Sequence, residues 1–316
     1  MQNRHLTLQS GYLMSVSLFH RLLVAPIPYM PKSVVWQLSR RYIAGTDLES
    51  AYRTVRKLNA GGCSATVDVL GEDSTQVAEV ELARDLYLSA LDGITVSELD
   101  CNISVKLSDM GLRFDQELCF DAMKLLIGKA SERNIFVRID MEDSSATSIT
   151  LDLYRRLREH FGNVGTVIQS CMRRSAADVD ELLKSGRTDI RLCKGIYLEP
   201  PDIAFIEADE IRDSYCELLE QLFVGGAVRV CIATHDPVLV EFAEQLIDRL
   251  EIDKSRYEFQ MLLGVADNMR ANLVKKGHPL RVYVPFGERW FAYSIRRLRE
   301  NPEIAGHIVR NLFTRH

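Results

Sequence analysis

No two of the seven cysteines stand at C-x-x-C spacing, and an odd number leaves one thiol outside any set of intrachain disulfides. Cys101, Cys193 and Cys231 lie inside apolar runs, which reads as buried thiols in a reducing compartment rather than a disulfide framework. H-E-x-x-H is missing, as is any pair of histidines at metal-ligand spacing, and no G-x-S-x-G elbow presents a serine. Metal-dependent hydrolysis and acyl transfer are therefore set aside. The short apolar run Leu22 to Ile27 is interrupted by Pro26 and followed by Pro28. It is too short to span a bilayer and lacks the layout of a signal peptide. The expectation is a cytoplasmic chain whose contact with the inner face of a membrane would be peripheral. A basic excess is also lacking: 39 Lys and Arg against 44 acidic residues give −5, which offers no case for nucleic acid.

What is there is an alternation. Strand candidates, most of them rich in Val and Ile, occur at 64–72, 102–108, 135–143, 164–170, 189–195, 228–235, 257–262 and 280–286, each trailed by an amphipathic helical pattern. Eight strand–helix units in about 240 residues imply right-handed parallel crossovers and an α/β fold of the (β/α)8 TIM type. A doubly wound open sheet is the alternative. It is disfavoured because no G-x-G-x-x-G follows the first strand and no G-x-x-x-x-G-K-[ST] occurs. Residues 1–60 read as an N-terminal helical arm, and residues 61–316 as the barrel, with the last helix over its mouth.

In such a barrel, function lies at the C-terminal ends of the strands. The polar residues there are Asp68, Lys106, Asp140, Gln169, Arg191, Lys194, Thr234, His235, Gln260 and Tyr283. Lys106, in the otherwise apolar NISVKLS, reads as a snorkelling side chain, a Schiff-base former or a carboxylate clamp. Arg191 needs either an acidic partner inside the barrel or a bound anion, since a lone buried cation is costly. Asp143 reads as a helix cap. The last segment, 281–316, carries seven arginines against three glutamates, and in YSIRRLRE the adjacent Arg296 and Arg297 can meet one anion. The inventory is rich in cations, amides and hydroxyls and poor in free bases, which suits an anionic substrate beside a redox cofactor.

TVDVLGE, ISVKLS, VRIDMED, VIQS, RLCKGIY, ATHD, YEFQMLLG, YVPFG and YSIRRLRE, in this order and one per unit, resemble the proline dehydrogenase family. That family comprises FAD-dependent barrels found alone or within the bifunctional proline-utilisation protein. The resemblance runs from about residue 60 to residue 300. It implies that Lys106, Arg296 and Arg297 hold the substrate carboxylate and that Glu300 steadies the arginine pair. It further implies that Asp140 supports Tyr283 near the substrate ring, and that Leu192, Tyr197 and Tyr293 wall the pocket. Gln169, Arg191, Lys194, Thr234, His235 and Gln260 match flavin contacts, with Arg191 close to N5. The implied reaction is oxidation of L-proline to 1-pyrroline-5-carboxylate by hydride transfer to flavin N5. Electrons then pass to a membrane quinone, and product passes to a separate 1-pyrroline-5-carboxylate dehydrogenase. A 4-hydroxyproline dehydrogenase is the nearest rival. The intact Tyr283 favours proline, because in that relative a smaller residue replaces the tyrosine. A Schiff-base aldolase through Lys106 or Lys194 is the rival from another class.

Overall fold

The computed structural model describes residues 31–71, 73–186 and 188–300, with the side chains of Val34, Leu38 and residues 296–300 outside that description. Eight parallel strands close into a barrel in chain order. They are β1 (Ser64–Val69), β2 (Cys101–Lys106), β3 (Val137–Asp140), β4 (Val164–Gln169), β5 (Asp189–Cys193), β6 (Arg229–Ala233), β7 (Tyr257–Leu262) and β8 (Leu280–Phe286). Every run read as a strand from the sequence forms one. The helices following them are α3 (Val77–Val96), α4 (Gln116–Ser131), α5 (Ser144–Arg158), α6 (Ser175–Lys184), α7 (Ala208–Val224), α8 (Pro237–Arg249), α9 (Asp267–Lys275) and α10 (Trp290–Glu300). Among the described residues, two helices precede the barrel, α1 (Lys32–Ser39) and α2 (Leu48–Ala60).

Aspartates start several helices by accepting from backbone N–H groups of the first turn that have no partner within the helix. Asp115 caps α4, Asp143 caps α5, and Asp236 caps α8, where Pro237 supplies a preset φ at the first position. The helix α2, assigned to the arm by the sequence reading, buries Ala51, Tyr52, Val55 and Leu58 and packs across β1 and β8. It covers the seam where the barrel closes. The last helix, α10, packs against α1, with Trp36 and Trp290 edge to face at 4.8 Å. Its Tyr293 and Ile295 join Leu70, Val35, Tyr42 and Ile43 in a small apolar cluster beside Val265, at the mouth end.

Along each strand, residues alternate between the barrel interior and the helical layer. The outward set is apolar: Val67, Ile103, Val105, Ile139, Ile190, Leu192, Val230, Phe259 and Val282 are buried among Leu, Ile and Tyr side chains of the helices. The inward set is polar and charged. Its lower tier is ionic: Arg138 pairs with Asp189, Arg229 reaches Asp189 at 2.7 Å, and Arg281 reaches Glu258 at 2.9 Å. Gly165 makes room for this tier, since a Cβ there would stand 2.5 Å from Arg138 Nη1 and from the Asp189 carbonyl. Among the described residues, no helix is long and apolar enough to cross a membrane, and no group of His, Cys, Asp and Glu is arranged to hold a metal ion.

Candidate active site

Above the ionic tier, the strands end in a cavity of about 790 Å³. This volume lies within the range of ligand pockets, about 300–1,000 Å³. Register builds its floor. Lys106 of β2 is level with Asp140 of β3, and Arg191 of β5, Gln260 of β7 and Tyr283 of β8 line the same cavity. Asp140 is the hub. Its Oδ1 accepts from Ser104 Oγ at 2.7 Å and from Arg191 Nη1 at 2.6 Å, and its Oδ2 accepts from the Tyr283 hydroxyl at 2.8 Å. Arg191 Nε donates to Gln260 Oε1 at 2.5 Å, and its guanidinium lies 5.4 Å from the centre of the Tyr283 ring. A buried arginine here therefore has an acidic partner, an amide acceptor and an aromatic face.

Lys106 Nζ donates to Asp68 Oδ1 at 2.7 Å, while Asp68 Oδ2 has no hydrogen-bond partner among the described residues. The two carboxyls respond differently to the same burial. For Asp140, burial favours the neutral acid, but Arg191, Lys106 and the hydroxyl donors outweigh it and hold its pKa below the ordinary value. For Asp68, burial dominates; Lys106 opposes it, neighbouring Asp140 adds to it, and the pKa rises. Burial would favour a neutral Lys106, yet Asp68, Asp140 and Asp109 keep it firmly protonated. Burial, Asp140 and Asp68 push Tyr283 well above the usual phenol range, so it remains a donor to Asp140.

A second polar group lines the side of the cavity beyond β5 and β6. Asp236, the cap of α8, accepts from Lys194 Nζ at 3.1 Å and from Arg212 Nε at 2.8 Å. Thr234 Oγ1 accepts from the Asp236 backbone N–H at 3.1 Å, and His235 Nε2 accepts from Leu262 N at 2.9 Å. His235 thus carries its ring proton on Nδ1. Gln169 Nε2 donates to the Glu142 carbonyl at 2.9 Å. Gly195 turns the chain after β5 at φ +99, and a Cβ there would lie 2.3 Å from Cys171 Sγ.

Most of the residues selected from the sequence meet here: Lys106, Asp140, Gln169, Arg191, Lys194, Tyr197, Thr234, His235, Gln260, Tyr283 and Tyr293 all line the cavity. Leu192 does not. It alternates with Arg191 and Cys193, which do line it, so its side chain is wholly buried in the apolar layer toward the helices. Reading it as a pocket wall is corrected by strand periodicity. Arg296, Arg297 and Glu300 lie on α10, but their side chains fall outside the described residues. Sequence reasoning overlooked Arg212 and Asp236. Asp236 carried a signal, the D-P step that opens a helix; Arg212, in the first turns of α7, carried none.

A family model described as proline dehydrogenase matches residues 51–310. Proline dehydrogenase 2 of Bacillus subtilis (strain 168) is 36% identical over 265 residues, covering 83% of this chain and 86% of that protein. The proline dehydrogenase of Deinococcus radiodurans is 31% identical over 294 residues, 90% of this chain and 93% of that one. In fold, the chain resembles proline utilization A from Bdellovibrio bacteriovorus inactivated by N-propargylglycine, with a TM-score of 0.80 at 24% identity. That alignment covers 85% of this chain and 33% of the larger protein. With matching strand-end chemistry and relatives aligned along most of its length, this chain belongs to the proline dehydrogenase family of oxidoreductases.

Proposed function

We propose that the chain oxidises L-proline to 1-pyrroline-5-carboxylate with FAD as its cofactor, passing the electrons on to a quinone. The product would go to a separate 1-pyrroline-5-carboxylate dehydrogenase. The observation that carries this reading is the convergence of Lys106, Asp140, Arg191 and Tyr283 on one cavity at the C-terminal ends of the strands.

The residues present suit FAD. Lys194 and Arg212 meet at the buried carboxylate of Asp236, and Arg212 also pairs with the exposed Asp209 at 2.8 Å; the N–H donors of the two cations at the cavity side would suit a diphosphate. Gln169, Thr234, His235 and Gln260 supply the amide, hydroxyl and imidazole groups that suit ribityl and ring heteroatoms. FAD, when bound, supplies the two-electron acceptor that none of the side chains can provide.

The chain's own work is positioning and electrostatics. Lys106 keeps two N–H donors beyond its bond to Asp68 and would bind the substrate carboxylate, together with Arg296 and Arg297 from α10. Asp140 holds Tyr283 and Arg191 at fixed angles, so the phenol wall and the guanidinium do not have to reorganise when substrate enters. Tyr197 and Tyr293 would close the pocket over the proline ring and exclude water. Tyr283, held by Asp140 at 2.8 Å, would fill the space that a ring hydroxyl needs and so favour proline over hydroxyproline.

Anaerobic addition of L-proline to the purified yellow protein tests this. The flavin absorbance should bleach with proline and far more slowly with 4-hydroxyproline. A colourless protein, or a flavin that proline leaves oxidised, would refute the reading.

A further inference from the structure

We infer that Glu258, in the ionic tier beneath the cavity, is a positioning residue for the reaction: it fixes the direction of the Gln260 amide and, through it, the orientation of Arg191. The inference rests on the proposed flavin reaction, in which Arg191 faces the electron acceptor.

Glu258 and Gln260 stand two apart on β7 and share its inward face. Gln260 Nε2 donates to Glu258 Oε1 at 2.5 Å, and Gln260 Oε1 accepts from Arg191 Nε at 2.5 Å. Both contacts are buried, and the amide has one orientation that satisfies them. Turned over, its oxygen would face a carboxylate and its NH₂ would face the Arg191 N–H. Glu258 is itself held from below. Arg281 Nε donates to both of its oxygens, at 2.9 and 3.2 Å, and Arg229 stands 4.0 Å away. Burial favours a neutral Glu258, but Arg281 and Arg229 outweigh it and bring its pKa down to about 2, so it is an acceptor only.

The result is a hydrogen-bond chain with a defined direction. Arg281 donates to Glu258, Glu258 accepts from Gln260, and Gln260 accepts from Arg191, whose other edge bonds Asp140 and Ser104. Both edges of the guanidinium are thereby fixed, which sets its plane beneath the cavity. One Glu258 oxygen, Oε1, accepts both from Gln260 Nε2 at 2.5 Å and from Arg281 Nε at 2.9 Å, so an amide at position 258 with its oxygen there keeps the direction of Gln260. An apolar side chain at 258 offers the Gln260 NH₂ no acceptor and leaves that amide free to turn its donors toward Arg191.

Glu258→Met is thus expected to lower kcat for L-proline about tenfold, with KM within about twofold, as befits the loss of a preorganised charge rather than a substrate contact. Its flavin midpoint potential should fall, because Arg191 no longer holds its positive charge in place. Glu258→Gln keeps the shared oxygen and with it the direction of Gln260, so kcat should stay within about threefold and the potential near that of the parent, even where loss of the charge beside Arg281 lowers thermal stability. A purely structural role predicts losses that track stability in both variants. That outcome overturns the inference, as does a Glu258→Met enzyme with unaltered kcat and potential. Should Glu258→Met not fold, Gln260→Leu cuts the same link while leaving Glu258 on Arg281. An unchanged kcat and potential in that variant would likewise refute the idea. If proline fails to reduce the flavin of the unaltered protein, the underlying reading falls and this inference with it. A normal reduction combined with a Glu258→Gln enzyme as slow as Glu258→Met removes only the role of Glu258.

Discussion

Among the buried carboxyl groups around Lys106, Asp140 is held below its ordinary pKa, whereas Asp68, Glu142 and Asp109 are raised above theirs. Burial, aided by Asp68, Glu142 and Asp73 and opposed by Lys106, pushes the Asp109 pKa up to about 8. Its Oδ2 is buried with no hydrogen-bond partner among the described residues. The unfolded carboxyl releases its proton near 3.8, whereas the folded one keeps it to about 8. Between those values the folded state binds more protons, so this group makes stability fall as pH rises. Asp109→Asn removes that dependence. Urea unfolding should find the variant about as stable as the parent at pH 4 and more stable by a few kcal/mol at pH 8. Parallel stability–pH curves for the two proteins would count against this assignment. Asp109 was invisible in the sequence because it follows β2 in a turn, where no periodicity marks a side chain as buried. Lys106, Asp140 and Arg191 were legible for the opposite reason: each is a charge placed among apolar residues at strand spacing.

At the scale of elements, the eight strands were readable because most are short Val- and Ile-rich runs and each is followed by a helical pattern. The same alternation that revealed the strands also assigns their faces, and Leu192 was misread where family likeness was followed instead. Caps show how an element can serve a site. Asp236 ends the β6–α8 turn by accepting from Val238 N, and the same carboxylate gathers Lys194 and Arg212. Arg212 and Asp236 approach tiers 24 residues apart in sequence, a distance over which no local pattern speaks. Asp236→Ala should cost about 1 kcal/mol of stability through the lost cap. It should also release the two cations from a shared geometry, so that FAD is lost more readily on gel filtration while KM for proline in flavin-saturated assays stays unchanged. Full flavin retention would separate the cap from the cofactor site.

On the scale of the whole molecule, a barrel of eight strands has a seam at β8 and β1, and the helix covering it comes from before the first strand. Nothing in the sequence of α2 announced this, since its amphipathic face suits any apolar surface; only closure of the barrel defines the vacancy that it fills. Val55 is wholly buried there. Val55→Asp should destabilise the protein by about 3 kcal/mol or more, because it leaves an uncompensated charge at the seam. Arg56→Ala, one residue on, breaks the exposed pair with Glu49 and an exposed hydrogen bond to Ser97 Oγ, and should change stability by less than about 1 kcal/mol. Thermal unfolding of the two variants checks the contrast, and equal effects would place α2 away from the seam.

Because the barrel interior is given over to charge, the apolar residues that hold the strands together lie outside it, between sheet and helices. Cohesion and chemistry thus occupy concentric zones that meet only at the strand backbones. Random substitution followed by selection for heat resistance should therefore gather its gains in the outer zone, while selection for a new cyclic amino acid should draw on the inner one. Improvements found separately by the two routes would combine with little interference, which makes this barrel a favourable starting point for altering substrate choice.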